Sequence, residues 1–156
     1  MVNNKPHTRN IVRLMIVSHG YILLAKHQGS DKTHYFLPGG GIEYNESLID
    51  AAQRELNEEI GVFKHDISSI HPVAVYEHSW DDKGKPFHEI SIVCTCEVQN
   101  LSSDKPVFSQ EPHLQFIWQK TSHLSEILFL PEDFKKLVPE WLKNNDQTSF
   151  FHSSMP

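Results

Sequence analysis

A run of three glycines followed by a long amphipathic segment constrains the fold more than any other feature of this sequence. No regular element is expected to continue through Pro38 and the glycines 39–41. Residues 46–60 repeat apolar side chains at helical spacing, which predicts a helix with one apolar face. That face consists of Leu48, Ile49, Ala52, Leu56 and Ile60. Gly61 is a natural residue to end the helix, because glycine adopts a left-handed backbone conformation at little steric cost.

Three glutamates on the predicted helix carry the clearest chemical signal. Glu55, Glu58 and Glu59 are spaced i, i+3 and i+4, so their side chains converge on one edge of the apolar face. Like charges at this spacing repel each other, and a hard divalent cation bound through oxygen would offset that repulsion. The alternative is a solvated acidic face in which Arg54 pairs with Glu58. The neighbouring glycines, which let the backbone approach a phosphate closely, favour a site for metal and phosphate.

The same segment resembles the signature of a known family. Gly40, Glu46 and residues 54–62 (RELNEEIGV) match the signature of the Nudix hydrolases at every fixed position. The resemblance implies an α/β fold, an α/β/α sandwich with a mixed β-sheet between helices. It also implies metal-dependent hydrolysis of a diphosphate linkage in a nucleoside diphosphate derivative. The expected substrates are nucleoside triphosphates, nucleotide sugars or dinucleoside polyphosphates.

The resemblance also implies roles for individual residues. Glu58 and Glu59 are expected to be the principal metal ligands, helped by the carbonyl of Gly39. Glu55 is expected to be a further ligand or the base that activates water, and Arg54 is expected to orient a glutamate of the set. Arg54, Glu55 and Glu58 therefore form the expected catalytic set. The expected cofactor is Mg²⁺, with Mn²⁺ as the expected substitute.

Residues outside this segment are candidates for the edges of the site. Glu111 lies in the turn-rich loop 100–112, where it is either one more metal-ligating carboxylate or an ordinary loop glutamate. The candidates for substrate binding are two loop glycines, the glutamate that closes the loop, a tyrosine and a histidine: Gly40, Gly41, Glu46, Tyr76 and His88. Tyr76 also suits a core position, and His88 also suits a packing role at a strand entrance.

Charge and composition exclude several function classes. The 14 Lys and Arg against 20 Asp and Glu give a net charge of −6, whereas a protein that binds nucleic acid polymers needs a basic surface. The polar start and the short apolar runs predict neither a signal peptide nor a membrane span. Cys94 and Cys96 are too few for a disulfide framework. These features predict a cytoplasmic protein. The resemblance implies a small nucleotide substrate, and the oligomeric state stays open between monomer and homodimer.

The chain is expected to form one domain over residues 1–144, followed by a disordered tail over residues 145–156. Residues 11–18 and 21–25 predict a hairpin, and further strands are expected over residues 73–76 and 89–98. The alternative to an enzyme is a sensor module that binds a nucleotide without hydrolysing it. Such modules usually lose one of the signature carboxylates, and none is missing here.

Overall fold

Two β-sheets lie between two α-helices in the structure, a computed structural model that describes residues 6–29, 32–143 and 151–155. In chain order the elements are β1 (Thr8–Met15), β2 (Val17–Ser18), β3 (Tyr21–Gln28), β4 (Thr33–Phe36), β5 (Gly39–Gly41), α1 (Leu48–Ile60), β6 (Ile67–Asp82), β7 (Lys85–Val98), β8 (Leu114–Lys120), α2 (Phe134–Lys143) and β9 (Phe151–Ser153). Within these described ranges no helix is long and apolar enough to cross a membrane.

The larger sheet is mixed and has the strand order β5-β1-β7-β6-β9. β1 pairs in parallel with β7, and β6 pairs in parallel with β9, whereas the other neighbours are antiparallel. In the second, antiparallel sheet, β3 has β8 along one edge and β2 and β4 along the other. Leu14 and Met15 of β1 belong to different cores, as expected for a strand that is covered on both faces.

One helix covers each face of the sheets. The first core lies below α1 and includes Ala51, Ala52, Leu56, Val12, Leu14, Leu23, Cys94 and Cys96. The second core lies below α2 and includes Met15, Leu24, Val93, Phe134, Val138 and Trp141. The predicted α/β/α sandwich with a mixed sheet between helices is therefore confirmed. Both cysteines are free and buried in the first core.

Helix α1 ends as predicted but presents a different face to the core. The Ser47 hydroxyl caps its start by accepting a hydrogen bond from the amide of Asp50, and Gly61 ends it in the left-handed conformation with φ of 70°. Ile49, predicted on the apolar face, is 38% exposed, whereas Glu59 is only 4% exposed. The buried face is turned away from Ile49 toward the small Ala51, and this rotation places Glu59 against the sheet.

Two segments that were predicted to be irregular form short strands. Gly39–Gly41 is β5, which pairs with β1 so closely that a Cβ on Gly39 would collide with the carbonyl oxygen of Val12. Gly39 also has a φ of 129°, which few other residues tolerate. The predicted disorder of residues 145–156 is wrong for Phe151–Ser153, since β9 pairs with β6 there. Residues 145–150 lie outside those that the structure describes.

The predicted hairpin is present with altered boundaries. The turn at His19 and Gly20 joins β3 to the short strand β2, while β1 belongs to the other sheet. The strands predicted over residues 73–76 and 89–98 are the inner parts of β6 and β7. These two strands extend to a tight turn at residues 83–84, both of which have positive φ.

Candidate active site

Glu59 connects the end of α1 to the glycine strand β5. Its Oε2 accepts a hydrogen bond from the backbone nitrogen of Gly39 at 3.1 Å. Burial raises the pKa of Glu59 to about 8; the negative charges of Glu55 and Glu111 add to the rise, and the Gly39 hydrogen bond and Arg13 oppose it. A buried carboxyl group with further carboxylates around it is typical of a functional site.

Gly40 makes room for the carboxylate of Glu55. A Cβ on residue 40 would lie 2.5 Å from Cδ and Oε1 of Glu55. The side chain of Glu55 is 13% exposed. Burial raises its pKa, and Glu58 and Glu111 act in the same direction while Arg54 opposes them. Glycine is required at position 40 by this close approach, since any side chain would displace Glu55.

Arg54 links the glutamates of α1 to the loop before it. Its Nε and Nη2 donate to the two carboxylate oxygens of Glu46 at 2.8 and 3.0 Å, and Nη2 also donates to the Gly41 carbonyl at 2.8 Å. Its Nη1 donates to Glu55 at 2.7 Å and to Glu58 at 3.3 Å. The hydrogen bonds with Arg54 lower the pKa of Glu46 to about 2, so this pair stays charged and holds the loop in place.

Glu111 lies near the glutamates of α1, although its loop is remote from them in sequence. The backbone nitrogen of Gln110 donates to the carbonyl of Glu59 at 2.7 Å, which attaches the loop to the end of α1. The charge of Glu111 raises the pKa of both Glu55 and Glu59. Its carboxylate also lies 3.3 Å from Nε2 of His113.

The side chains of this cluster suit a hard divalent cation by their chemistry and charge. Glu55, Glu58, Glu59 and Glu111 offer only oxygen, the donor that Mg²⁺ prefers. No three His, Cys, Asp or Glu side chains in the described ranges already converge on one metal position. Glu55 and Glu58 are instead paired with Arg54. Carboxylates outnumber the cations here, and a bound cation would relieve the repulsion that adds to the effect of burial on the pKa of Glu55 and Glu59.

A cavity of about 870 Å³ is lined by Arg13, whose positive charge also acts on Glu59 of the carboxylate cluster. Its lining includes Arg13, Tyr76, His78, Glu89, Asp133 and Ser154. Arg13 connects the two regions, since it lines the cavity and pairs with Gly39 across β1 and β5. The ring nitrogen Nδ1 of His78 is buried and has no hydrogen-bond partner among the described residues. Burial lowers the pKa of His78 to about 4, so its ring is neutral near pH 7.

The two substrate-binding candidates outside the loop lie in different surroundings. Tyr76 lines the cavity, and its hydroxyl is hydrogen-bonded. His88 does not line it, and its two ring nitrogens lie 2.8 Å from the Thr8 hydroxyl and 3.0 Å from Glu77. Through these contacts His88 of β7 links β1 and β6. Its role in substrate binding stays a prediction.

Sequence reasoning did not assign Arg13, His78 and Asp133 to the site. Arg13 gave a signal, because it is a charged residue inside an otherwise apolar strand. Its guanidinium donates to the carbonyl of Leu37 at 3.1 Å and lies over the ring of Phe36. His78 and Asp133 had no such signal, since each follows another polar residue, Glu77 and Glu132, outside any apolar run.

Comparisons with known proteins identify the family and the fold. The family model described as NUDIX domain matches residues 6–144. An RNA pyrophosphohydrolase from Ruthia magnifica subsp. Calyptogena magnifica is 39% identical over 66 residues, which cover 42% of this chain. The matched part is 36% of that protein, so this chain spans about a third of its relative.

Solved structures share the fold over nearly the whole chain. A MutT protein from Methanosarcina mazei Go1 has a TM-score of 0.64 at 21% identity and covers 92% of this chain and 99% of its own. A MutT NUDIX hydrolase from Burkholderia pseudomallei has a TM-score of 0.62 at 20% identity, with 90% and 99% covered. At these identities the likeness concerns the fold. With a NUDIX domain model that matches residues 6–144, most of its length, this chain belongs to the Nudix family.

Proposed function

We propose that this Nudix family member cleaves a diphosphate linkage in a nucleoside diphosphate derivative, with Mg²⁺ as cofactor and Mn²⁺ as a substitute. The observation that carries the proposal is the buried Glu59, which is bonded to Gly39 and acted on by the charges of Glu55 and Glu111. Arg13, whose charge also acts on Glu59, lines a cavity of about 870 Å³. Pockets for small ligands typically measure about 300–1,000 Å³, so a nucleoside fits this one.

Four glutamates and one carbonyl would hold the cation: Glu55, Glu58, Glu59, Glu111 and Gly39. Bound there, it would neutralise charge on the phosphate oxygens and lower the pKa of a bound water. Glu55 and Glu58 would exchange their contacts with Arg54 for it. Arg54 would keep its bonds to Glu46 and to the Gly41 carbonyl, so the loop that carries Gly39 and Gly40 would keep its position.

Glu55 is the best candidate for the base that takes a proton from the attacking water. It is partly buried and its pKa is raised, which makes its carboxylate a stronger proton acceptor than an exposed glutamate. Glu58 has a side chain that is 52% exposed, which suits a ligand that can turn toward a cation. Arg54 would orient Glu55 through its bond of 2.7 Å.

The cavity would bind the nucleoside part of the substrate. Phe36 and Trp80 provide apolar surface, and the neutral ring of His78 extends the wall. Arg13 would lie between the nucleoside and the phosphates, where its positive charge favours an anionic ligand.

Phosphate release from a nucleotide panel tests the proposal. The panel includes nucleoside triphosphates, nucleotide sugars, dinucleoside polyphosphates and, because of the RNA pyrophosphohydrolase relative, an RNA oligonucleotide with a 5′-triphosphate. We expect turnover of at least one nucleotide with Mg²⁺, none in excess EDTA, and recovery with Mg²⁺ or Mn²⁺. Full activity in EDTA would contradict the metal site. Binding without turnover across the panel would instead favour the sensor module.

Glu111→Gln should lower kcat about tenfold or more, which corresponds to about 1.4 kcal/mol. The amide keeps the size of the side chain but removes the charge that acts on Glu55 and Glu59. Tm should stay within about 2 °C, because single side chains in surface loops rarely stabilise the fold. Glu126→Gln, on an exposed glutamate in the turn 121–126, is the matched control. Equal kcat in both variants would mean that Glu111 is an ordinary loop residue without a role in catalysis.

Gly40→Ala should lower kcat by about tenfold or more, because the new methyl group would push Glu55 out of position. Gly29→Ala is the control, since its Cβ would meet only ordinary contacts of 3.5 Å or longer. Steady-state kinetics with thermal melts on both variants check the result. Unchanged kcat in Gly40→Ala would show that Glu55 can move without loss.

A further inference from the structure

A chain of two hydrogen bonds runs from the C-terminal segment into the cavity wall. The Tyr76 hydroxyl lies 2.7 Å from Oδ2 of Asp133 and 3.2 Å from Oγ of Ser154. A phenol has one proton and a carboxylate anion only accepts, so Tyr76 donates to Asp133 and accepts from Ser154. Burial raises the pKa of Tyr76 to about 12; the Ser154 hydrogen bond opposes the rise and Asp133 adds to it.

Strand β9 holds Ser154 beside the cavity. β9 pairs in parallel with β6, with Glu77 opposite Ser153. The backbone nitrogen of Ser154 donates to the carbonyl of Glu77 at 3.0 Å, and the Ser153 hydroxyl donates to the Glu77 carboxylate at 3.1 Å. The ring of His152 packs on Trp141 of α2 with ring centroids 5.9 Å apart. Backbone pairing therefore fixes where the Ser154 hydroxyl lies.

We propose that β9 completes the wall of the substrate cavity and that Ser154 is a positioning residue for nucleoside binding. Ser154 acts through Tyr76, whose hydroxyl holds the Asp133 carboxylate at the cavity wall. A carboxylate with one bond from Tyr76 keeps further acceptor capacity, so it would bind a nucleoside group that donates a hydrogen bond, an amino or hydroxyl group. The inference rests on the proposed function, since it assigns the cavity to the nucleoside.

Loss of the Ser154 hydroxyl should act on binding rather than on chemistry. The buried oxygen of Tyr76 would lose its donor, and the bond from Tyr76 to Asp133 would lose the polarisation that a chain of hydrogen bonds provides. Neither change reaches Glu55 or Glu59, because both lie on α1.

Kinetics of the full chain with Mg²⁺ and the best nucleotide of the panel test the inference. Ser154→Ala should raise KM about threefold to tenfold with kcat within about twofold, and Ser154→Thr, which keeps the hydroxyl, should stay near wild type. Ser153→Ala removes the neighbouring hydroxyl that does not contact Tyr76, and should also stay near wild type. Tyr76→Phe should raise KM, and adding Ser154→Ala to it should change nothing further.

A binding measurement separates this inference from the proposed function. Titration of nucleoside monophosphates in EDTA by calorimetry should show Kd about threefold to tenfold weaker for Ser154→Ala than for wild type or Ser154→Thr. This outcome supports the inference even if no nucleotide is hydrolysed, in which case only the proposed function fails. The inference would be overturned if wild type and Ser154→Ala had equal Kd and KM, or if wild type did not bind the nucleoside monophosphates. It would also be overturned if Ser154→Thr or Ser153→Ala lost as much affinity as Ser154→Ala.

Discussion

Glu59→Gln should lower kcat about a thousandfold or more, a loss of about 4 kcal/mol of transition-state stabilisation. The amide can still accept the hydrogen bond from Gly39, so the local fold is retained. The amide has no negative charge with which to bind a cation. Single-turnover kinetics at saturating Mg²⁺ measure the effect, and turnover within tenfold of wild type would exclude Glu59 from the metal site.

Although Glu59→Gln should lower kcat, it should raise the stability of the metal-free protein. The pKa of Glu59 is about 8 in the folded chain, above its ordinary 4.5. Between these values the folded state keeps a proton that the unfolded chain releases, so the free energy of unfolding falls as pH rises. Glu59→Gln lacks this slope and should be the more stable protein at pH 8, on the order of 1 kcal/mol or more. Melts in EDTA at pH 5 and pH 8 check this, with Glu126→Gln as control. A difference between variant and wild type that does not grow with pH would contradict it.

Arg54→Lys should lower kcat/KM about a hundredfold and Tm by several degrees. A lysine has one charged nitrogen and cannot span Glu46, Glu55 and the Gly41 carbonyl, which Arg54 contacts with three nitrogens at 2.7–3.0 Å. Glu55, whose side chain is 13% exposed, would lose its partner. The melting loss should shrink as pH falls from 4.5 through the folded-state pKa of Glu46, which is about 2, because below that value the carboxylate is neutral in both states.

Arg9→Lys is the matched control for this variant. Arg9 contacts Glu89 at 3.4 Å with a side chain that is 46% exposed, so a lysine can replace it. Its kcat/KM should stay within twofold of wild type. A similar loss in Arg9→Lys and Arg54→Lys would mean that the fork geometry of Arg54 is not needed.

Local spacing allowed the acidic cluster of α1 and its glycine loop to be predicted, because i, i+3 and i+4 relations determine which side chains lie together. It did not reveal that Glu59 is buried. That depends on a rotation of the helix toward Ala51, which is set by packing against β1 and β7 and by no pattern within the helix. When a helix has small residues on one side, its sequence does not determine which face is buried until the packing partner is known.

The cavity could not be predicted for a related reason. Arg13, His78, Glu89 and Asp133 come from β1, β6, β7 and the segment before α2, and only the sheet order brings them together. Strand β9 was missed because a three-residue strand has no periodicity to read and is stabilised by its partner β6. Tertiary pairing, rather than local propensity, determines both features.

The parallel pairing of β1 with β7 has a consequence for how the chain is made. Thr8 pairs with His88 and Met15 with Thr95, so the first strand acquires this neighbour only after some eighty further residues have been synthesised. At about 5–20 residues per second, that interval is roughly 4–16 s. During it, β1 is an apolar segment without its central partner, exposed to wrong pairing and aggregation. Nascent chains stalled before residue 98 should therefore bind holding chaperones and should resist protease only after β7 has emerged.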